Sequence, residues 1–113
     1  MFFCMHSVTD ELIALHSKVC KGIADPKRLL IINALRNGER SVMDLCNELH
    51  LPQANVSQHL AVLRDRGLVS ARRDAQRVFY SLTSMKIIEA IDLLREVMAE
   101  QMQATAQPLA SSS

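Results

Sequence analysis

SVMDLCNELHLPQANVSQHLAVLRDRGLVSARRDAQRVFYSL, residues 41–82, is the stretch that decides the fold. Its first part, SVMDLCNEL, reads as a short amphipathic helix opened by a capping box that runs from Ser41 to Asp44. Leu51-Pro52 makes a turn. A second helix follows over residues 53–66, with Val56, Leu60 and Leu63 at inward spacing, and Gly67 supplies the left-handed stop that helix ends favour. LVSARRDAQRVFYSL then alternates as two strands, 68–73 and 78–82, joined by Asp74-Ala75-Gln76, and Ala75 stands where a glycine would ease the turn. Helix, turn, helix and basic ribbon predict a mainly α fold with a small two-stranded β-wing, a winged helix-turn-helix. Such a unit lays its second helix in a DNA major groove while the ribbon tip straddles the backbone.

The flanks complete the domain. Upstream, Leu12, Ile13, Leu15, Val19 and Ile23 form an apolar stripe that predicts a first helix over residues 9–23. Asp25-Pro26 opens a second helix, with aspartate as N-cap and proline at the first helical position. RLLIINAL is apolar nearly all round, which predicts a helix at the buried centre, ended by Asn37-Gly38. Downstream, Thr83 or Ser84 caps a last helix reaching about residue 101, with Ile87, Ile88, Ile91, Leu94, Val97 and Met98 apolar. The predicted division is an N-terminal arm (1–8), a winged-helix domain (9–102) and a tail (103–113, QATAQPLASSS) that has nothing to bury and is expected to be disordered. The first and last helices carry more apolar surface than one small domain needs. A two-fold homodimer through both helices uses it, and sets two reading helices roughly 34 Å apart over an inverted-repeat site.

Composition narrows the function. The chain has 113 residues, 49% of them hydrophobic and 4% aromatic, which suits a single helical domain with a core of Leu, Ile, Val and Ala. Net charge is only +1, too little for a protein that coats DNA regardless of sequence. The charge is nevertheless polarised. Residues 53–80 hold Arg64, Arg66, Arg72, Arg73 and Arg77 against Asp65 and Asp74, a net of +3, whereas residues 83–113 hold Lys86 and Arg95 against Glu89, Asp92, Glu96 and Glu100, a net of −2. The positive patch coincides with the expected reading surface. MFFCMHS lacks the basic start and apolar run of a signal peptide, no run approaches a membrane span, and three cysteines make no disulfide framework. The expected compartment is the cytoplasm, with no membrane partner.

With ADPKRLLIINAL, GERSVMDLCNEL, LPQANVSQHLAVLRDRGLV and RRDAQRVFYSLT in place, the chain over residues 9–100 resembles the ArsR/SmtB family of small dimeric winged-helix repressors. The resemblance implies a dimer through the first and last helices, repression of a nearby operon at a double-stranded DNA operator, and an inducer that loosens DNA binding. It places base contacts on the exposed face of the second helix of the motif, here Gln53, Ala54, Asn55, Ser57, Gln58 and His59. Gln and Asn bond adenine bidentately and Ser bonds either partner. Arg73 and Arg77 on the wing suit phosphates or a narrow minor groove. Pro52 departs from the family's frequent Ser or Thr N-cap and leaves that role to another group.

The family's inducer sites do not carry over. Its soft-metal site has a Cys-x-Cys-Asp pattern, where this chain has Ser41, Met43 and Asp44. Its zinc site on the last helix maps to Ser84, Lys86, Val97 and Glu100, one ligand in four. Its paired sulfur-sensing thiols map to Asn33 and about Ala99. What remains is Cys4, Cys20 and Cys46 as candidate sensing thiols. His16 and Cys20 share a helix face at i and i+4, and with Cys4 and His6 they make a candidate Cys₂His₂ set for Zn(II). Cys4, Cys20 and Cys46 together make a candidate three-thiolate set for As(III). Oxidation or persulfidation of a thiol is a third form of the same switch. Against these stands a plainer reading. Cys20 and Cys46 are small core hydrophobes, His16 and His50 are solvated helix-surface groups, His59 faces DNA, and the six methionines fill packing positions. The fold requires no cofactor.

Other functional classes fit less well. No Gly-rich phosphate loop, nucleophile elbow or pocketed carboxylate pair points to an enzyme. A winged helix serving protein–protein contact predicts apolar residues where Gln53, Asn55, Ser57 and Gln58 stand. A DNA-binding regulator that answers to no effector is the remaining alternative to an inducible repressor.

Overall fold

The computed structural model describes residues 7–112, with side-chain surroundings described through Ala104. The first helix is α1, Val8–Leu15. Ser7 caps it, its hydroxyl accepting from the Asp10 N–H at 3.2 Å. The helix then widens into a π-helical turn, His16–Cys20, in which the Lys21 N–H reaches five residues back to the His16 carbonyl. Neither α1 nor the π turn buries a residue fully. The predicted apolar stripe is there, but it divides: Leu12, Ile13 and Leu15 face outward in the single chain, while Val19 and Ile23 are half-buried against the core.

Helix α2, Pro26–Ala34, begins as predicted. The Asp25 carboxylate accepts from the Lys27 and Arg28 N–H groups, and Pro26 opens the first turn. It is not buried all round. Ile31, Ile32 and Ala34 are buried, whereas Leu29 and Leu30 are exposed. It also ends before Asn37-Gly38, with Leu35 as its C-cap. A two-residue strand β1, Arg40–Ser41, follows, then α3, Val42–Leu49, opened by a complete capping box. The Asp44 N–H bonds Ser41 Oγ at 3.1 Å and the Ser41 N–H bonds the Asp44 carboxylate at 3.3 Å.

The turn after α3 places His50 at φ 55°, ψ 44°, a left-handed conformation uncommon outside glycine. Helix α4, Gln53–Asp65, starts at Pro52 with no side-chain cap, so the N-cap role that the sequence leaves open goes unfilled by any side chain. Its other end is a Schellman motif. Gly67 (φ 77°) donates to the Arg64 carbonyl and Leu68 to the Leu63 carbonyl, which satisfies carbonyls that the helix end leaves unpaired.

Strands β2, Val69–Asp74, and β3, Arg77–Leu82, pair antiparallel with Asp74 opposite Arg77. The wing turn is therefore only Ala75-Gln76, and Ala75 takes φ 58°, the positive angle that the sequence flags. The sheet has three strands rather than two, in the order β1-β3-β2. β1 pairs with β3, Arg40 opposite Tyr80 and Ser41 opposite Phe79, and so ties the wing to the start of α3. Thr83 closes the hairpin by donating its hydroxyl to the Gly67 carbonyl at 2.7 Å. Ser84 accepts from the Lys86 N–H at the start of α5, Lys86–Ser112. The backbone of α5 thus stays helical across residues 103–112, where the sequence predicts a disordered tail. QATAQ is built largely from good helix formers, which extend a nucleated helix at little cost, whereas Pro108 within the same stretch is a residue that helix interiors resist.

Ile31, Ile32, Leu35, Leu45, Val56, Leu60, Leu63, Leu68, Val69 and Ile88 form one core. α2, α3 and α4 meet in it, with β2 and the first turns of α5 closing its sides. This core fixes α4 and the wing rigidly with respect to each other.

Candidate nucleic-acid interface

α4 divides cleanly by its 3.6-residue period. Val56, Leu60 and Leu63 have no exposed surface. Gln53, Ala54, Ser57 and Gln58 are exposed on the other side, and Asn55 is half-buried between the two. These are the predicted base-reading positions, and the fold leaves an uninterrupted polar edge along the first turns of α4.

His59 departs from the expectation. Its side chain is only 17% exposed and turns toward the start of α2. Nδ1 lies 3.5 Å from Arg28 Nη1, and Nε2 lies 4.0 Å from Asp25 Oδ1. The position after Gln58 points back toward the body, so His59 is a strut between α4 and α2 and not part of the exposed edge. Arg28 completes the strut by donating Nε to the Gly22 carbonyl at 2.5 Å and Nη2 to the Lys21 carbonyl at 3.3 Å. Desolvation works against the charge on Asp25. The Lys27 and Arg28 N–H bonds, with the nearby His59 and Arg28 charges, outweigh it and hold the carboxyl below the usual aspartate range.

The wing's arginines split by strand parity, because successive side chains point to opposite faces. Arg72 and Arg77 flank Phe79 on one face, their guanidinium carbons 5.0 and 5.2 Å from the ring centre, within cation–π range. Arg73 pairs with Val78 on the other face and has no side-chain ion pair or hydrogen bond among the described residues. Arg72 is committed to a two-pronged bond with Glu39, at 2.9 and 2.7 Å, which draws the Glu39 carboxyl below its usual range. Arg77 donates to Ser41 Oγ at 3.1 Å and lies 3.9 Å from Asp44. Asp44 is likewise drawn down, first by the Ser41 backbone bond and the Ser41 hydroxyl, with Arg77 adding its charge. The predicted wing contacts Arg73 and Arg77 thus stand on opposite faces, Arg77 braced and Arg73 free.

The Glu39–Arg72 and Asp25–Arg28–His59 groupings escape a reading of the sequence. Glu39 lies 33 residues from Arg72 and Arg28 lies 31 from His59, and only the folded sheet and helix crossing bring these partners together. Asp44 carried a partial signal through its capping box, but its proximity to Arg77 follows from the β1–β3 pairing.

The candidate sensing residues do not assemble among the described residues. Cys46 is buried in the core cluster, as a small hydrophobe would be. Cys20 is exposed and so is not core filling. His16 is exposed on the π turn, and His50 serves as the left-handed cap of α3 rather than as an ordinary helix-surface group. Cys4 and His6 lie outside the described residues. No group of three His, Cys, Asp or Glu side chains among the described residues is placed to hold a metal ion. Nor do four of the methionines fill the core: Met43, Met85, Met98 and Met102 are all at least half exposed in the single chain. No helix among the described residues is long and apolar enough to cross a membrane.

A polar-edged helix packed beside a short three-stranded sheet with an arginine-rich hairpin is a winged helix-turn-helix, the class of domain that reads duplex DNA. Residues 25–71 match the model of the bacterial regulatory proteins of the arsR family. The transcriptional activator HlyU of Vibrio cholerae is 44% identical over 77 residues, 68% of this chain and 71% of that protein. The nodulation protein NolR of Rhizobium meliloti is 38% identical over 92 residues, 80% of this chain and 75% of that protein. The structure of reduced HlyU from Vibrio cholerae superposes with a TM-score of 0.70 at 39% identity, covering 79% of this chain and 94% of that one. A homodimeric winged helix-turn-helix DNA-binding domain from Mycobacterium bovis superposes with a TM-score of 0.75 at 26% identity, covering 88% and 93%. The chain belongs to the arsR family of bacterial regulatory proteins, a family of DNA-binding transcriptional regulators and not of enzymes.

Proposed function

We propose that the chain is a homodimeric, sequence-specific repressor that acts in the cytoplasm at an inverted-repeat operator. One observation carries the reading: the exposed polar edge of α4, backed by a face with no exposed surface. Gln53, Asn55, Ser57 and Gln58 carry the hydrogen-bonding groups that major-groove edges recognise, with Ala54 beside them for a thymine methyl. Arg73 and Arg77 meet the backbone or a narrow minor groove. An interaction module would need a large apolar surface on this edge, and Ala54 is the one apolar side chain among its named positions.

The dimer supplies the second half-site. Val8, Leu12, Ile13 and Leu15 on α1 and Leu93, Leu94, Val97, Met98 and Met102 on α5 are exposed in the single chain, an apolar area too large to leave in water. The homodimeric Mycobacterium bovis neighbour supports the same use here. Among the described candidate thiols, Cys20 is the one that solvent reaches, so a thiol-directed inducer acting on those residues acts there.

Footprinting on the DNA upstream of the chain's own gene tests the proposal. Protection of two half-sites about one helical turn apart is expected. A uniform footprint that scrambled DNA reproduces contradicts it.

A further inference from the structure

A groove of about 480 Å³ lies between α2 and α5, lined by Leu29, Leu30, Asn33, Arg36, Ile91 and Arg95. Its size falls in the range of small-molecule sites, roughly 300–1,000 Å³. Its floor is apolar, and Leu29 and Leu30 are exposed in it. Its rim is cationic. Arg36 grips both oxygens of Asp92 at 2.8 Å and also donates to the Asn33 side-chain oxygen Oδ1. Arg95 reaches the same Asp92 through one nitrogen at 3.0 Å and is 66% exposed.

One carboxylate is thus shared by two guanidiniums. One positive charge at the rim is left without a counter-charge among the lining residues and their bonded partners. Arg36 spends four of its five N–H groups on Asp92 and Asn33, while Arg95 spends one, so Arg95 is the donor that remains open to a ligand. The Asn33 amide nitrogen makes no hydrogen bond among the described residues and adds a neutral donor.

We propose that this groove binds an aliphatic monocarboxylate, with its carboxylate on Arg95 and Asn33 and its chain along Leu29, Leu30 and Ile91. A monoanion is the complement because a single charge is uncompensated; a short alkyl chain is the complement because the floor is leucine and isoleucine. The groove adjoins the α5 surface assigned to the dimer: Leu94 and Met98 share the helix face of Ile91 and Arg95, while Leu93 and Val97 lie on the opposite side. As an effector site the groove rests on the regulator reading. As a binding site it stands without it.

Titration calorimetry of sodium octanoate into the full-length homodimer is the test, with octanol as the uncharged control and Arg95→Gln as the variant. Arg95 is a surface residue outside the DNA-reading edge, so the variant is expected to keep its circular dichroism and its operator affinity. Saturable binding of one octanoate per protomer is expected. Octanol and the Arg95→Gln variant should each bind about tenfold more weakly, and amide shifts should centre on residues 29–36 and 91–95. Absence of saturable binding, equal affinity for octanol, or shifts elsewhere overturns the proposal, including the case where the partner protomer fills the groove. Operator affinity of the unliganded dimer is measured alongside. Its absence defeats the regulator reading and leaves the octanoate result to stand or fall separately.

Discussion

His50 and Ala75 hold backbone angles that side chains resist, and each is a place where the chain gives up stability. At φ 55° and 58° a non-glycine residue costs about 1–2 kcal/mol, part of which glycine loses again through a freer unfolded chain. His50→Gly and Ala75→Gly should therefore each stabilise the fold by about 0.5–1 kcal/mol, seen as a higher urea midpoint at unchanged slope. A lower midpoint for His50→Gly would mean that the imidazole makes a contact that matters more than its backbone strain. The Ala75 strain was legible before folding, because the sequence puts alanine where a glycine would ease the turn, although the turn proved to be two residues rather than three. The His50 strain was not: nothing in ELHLPQ distinguishes a solvated helix end from a left-handed cap. On the wing, Arg77→Ala should weaken binding to all DNA sequences similarly and lower the salt slope of log K by about one. Operator affinity that falls while off-site affinity holds would instead make Arg77 a base-reading residue.

Among the elements, α4 was the most legible. Its inward positions, its glycine stop and its polar edge are all local, and all follow from 3.6-residue periodicity and cap chemistry. α1 and α5 were legible as helices with more apolar surface than one domain needs, which the sequence reading gives to a homodimer, and in the single chain much of that surface is exposed. β1 was missed altogether. Two residues carry no periodicity, and Arg40–Ser41 becomes a strand only because β3 offers it an edge. The elements are fastened by ion pairs that share one sign of pH dependence. Arg36 and then Arg95 hold the Asp92 carboxyl far below the ordinary aspartate value of 3.8, and Asp25, Glu39 and Asp44 are held low as well. A carboxylate whose folded pKa is depressed contributes its full stability above its unfolded pKa and loses it as pH falls toward the folded value. Stability should therefore be flat near neutrality and decline as pH falls below about 4–5. Asp92→Asn should make that decline shallower, since one of its causes is gone. Melting temperatures from pH 7 to 3 check this, and an unchanged slope in the variant would mean that the α2–α5 ion pair contributes nothing to folding. Gly22 is a steric fastening elsewhere, between the π turn and the end of α4. A Cβ there would sit 2.9 Å from Leu68 Cδ1 and 3.1 Å from the Lys18 carbonyl, so Gly22→Ala is expected to destabilise by about 1–3 kcal/mol through overpacking.

At the scale of the whole molecule, the chain is a half-device. Its reading edge, its wing and its outward apolar stripes make sense as one protomer of a two-fold pair, and sedimentation should return a dimer mass at micromolar concentration. Leu94→Glu together with Val97→Glu should return a monomer that keeps its helical spectrum and loses most operator affinity, because one half-site forfeits the second protomer's contacts. What the wing arginines do is governed at this scale too. Glu39 and Asp44 tether Arg72 and Arg77 to the body, which sets the angle of the hairpin against the body.

The most direct test of the central claim is fluorescence anisotropy of wild type and Gln58→Ala on the footprinted operator and on a set of single-base variants of it, at one salt concentration. If α4 reads the sequence, Gln58→Ala loses about 1–3 kcal/mol on the operator, and the penalty for changing one base pair in each half-site disappears in the variant while the others persist. If wild type and variant bind every sequence in the set alike, the exposed edge of α4 does not read bases, and the account of this chain as a sequence-specific regulator through that edge is wrong.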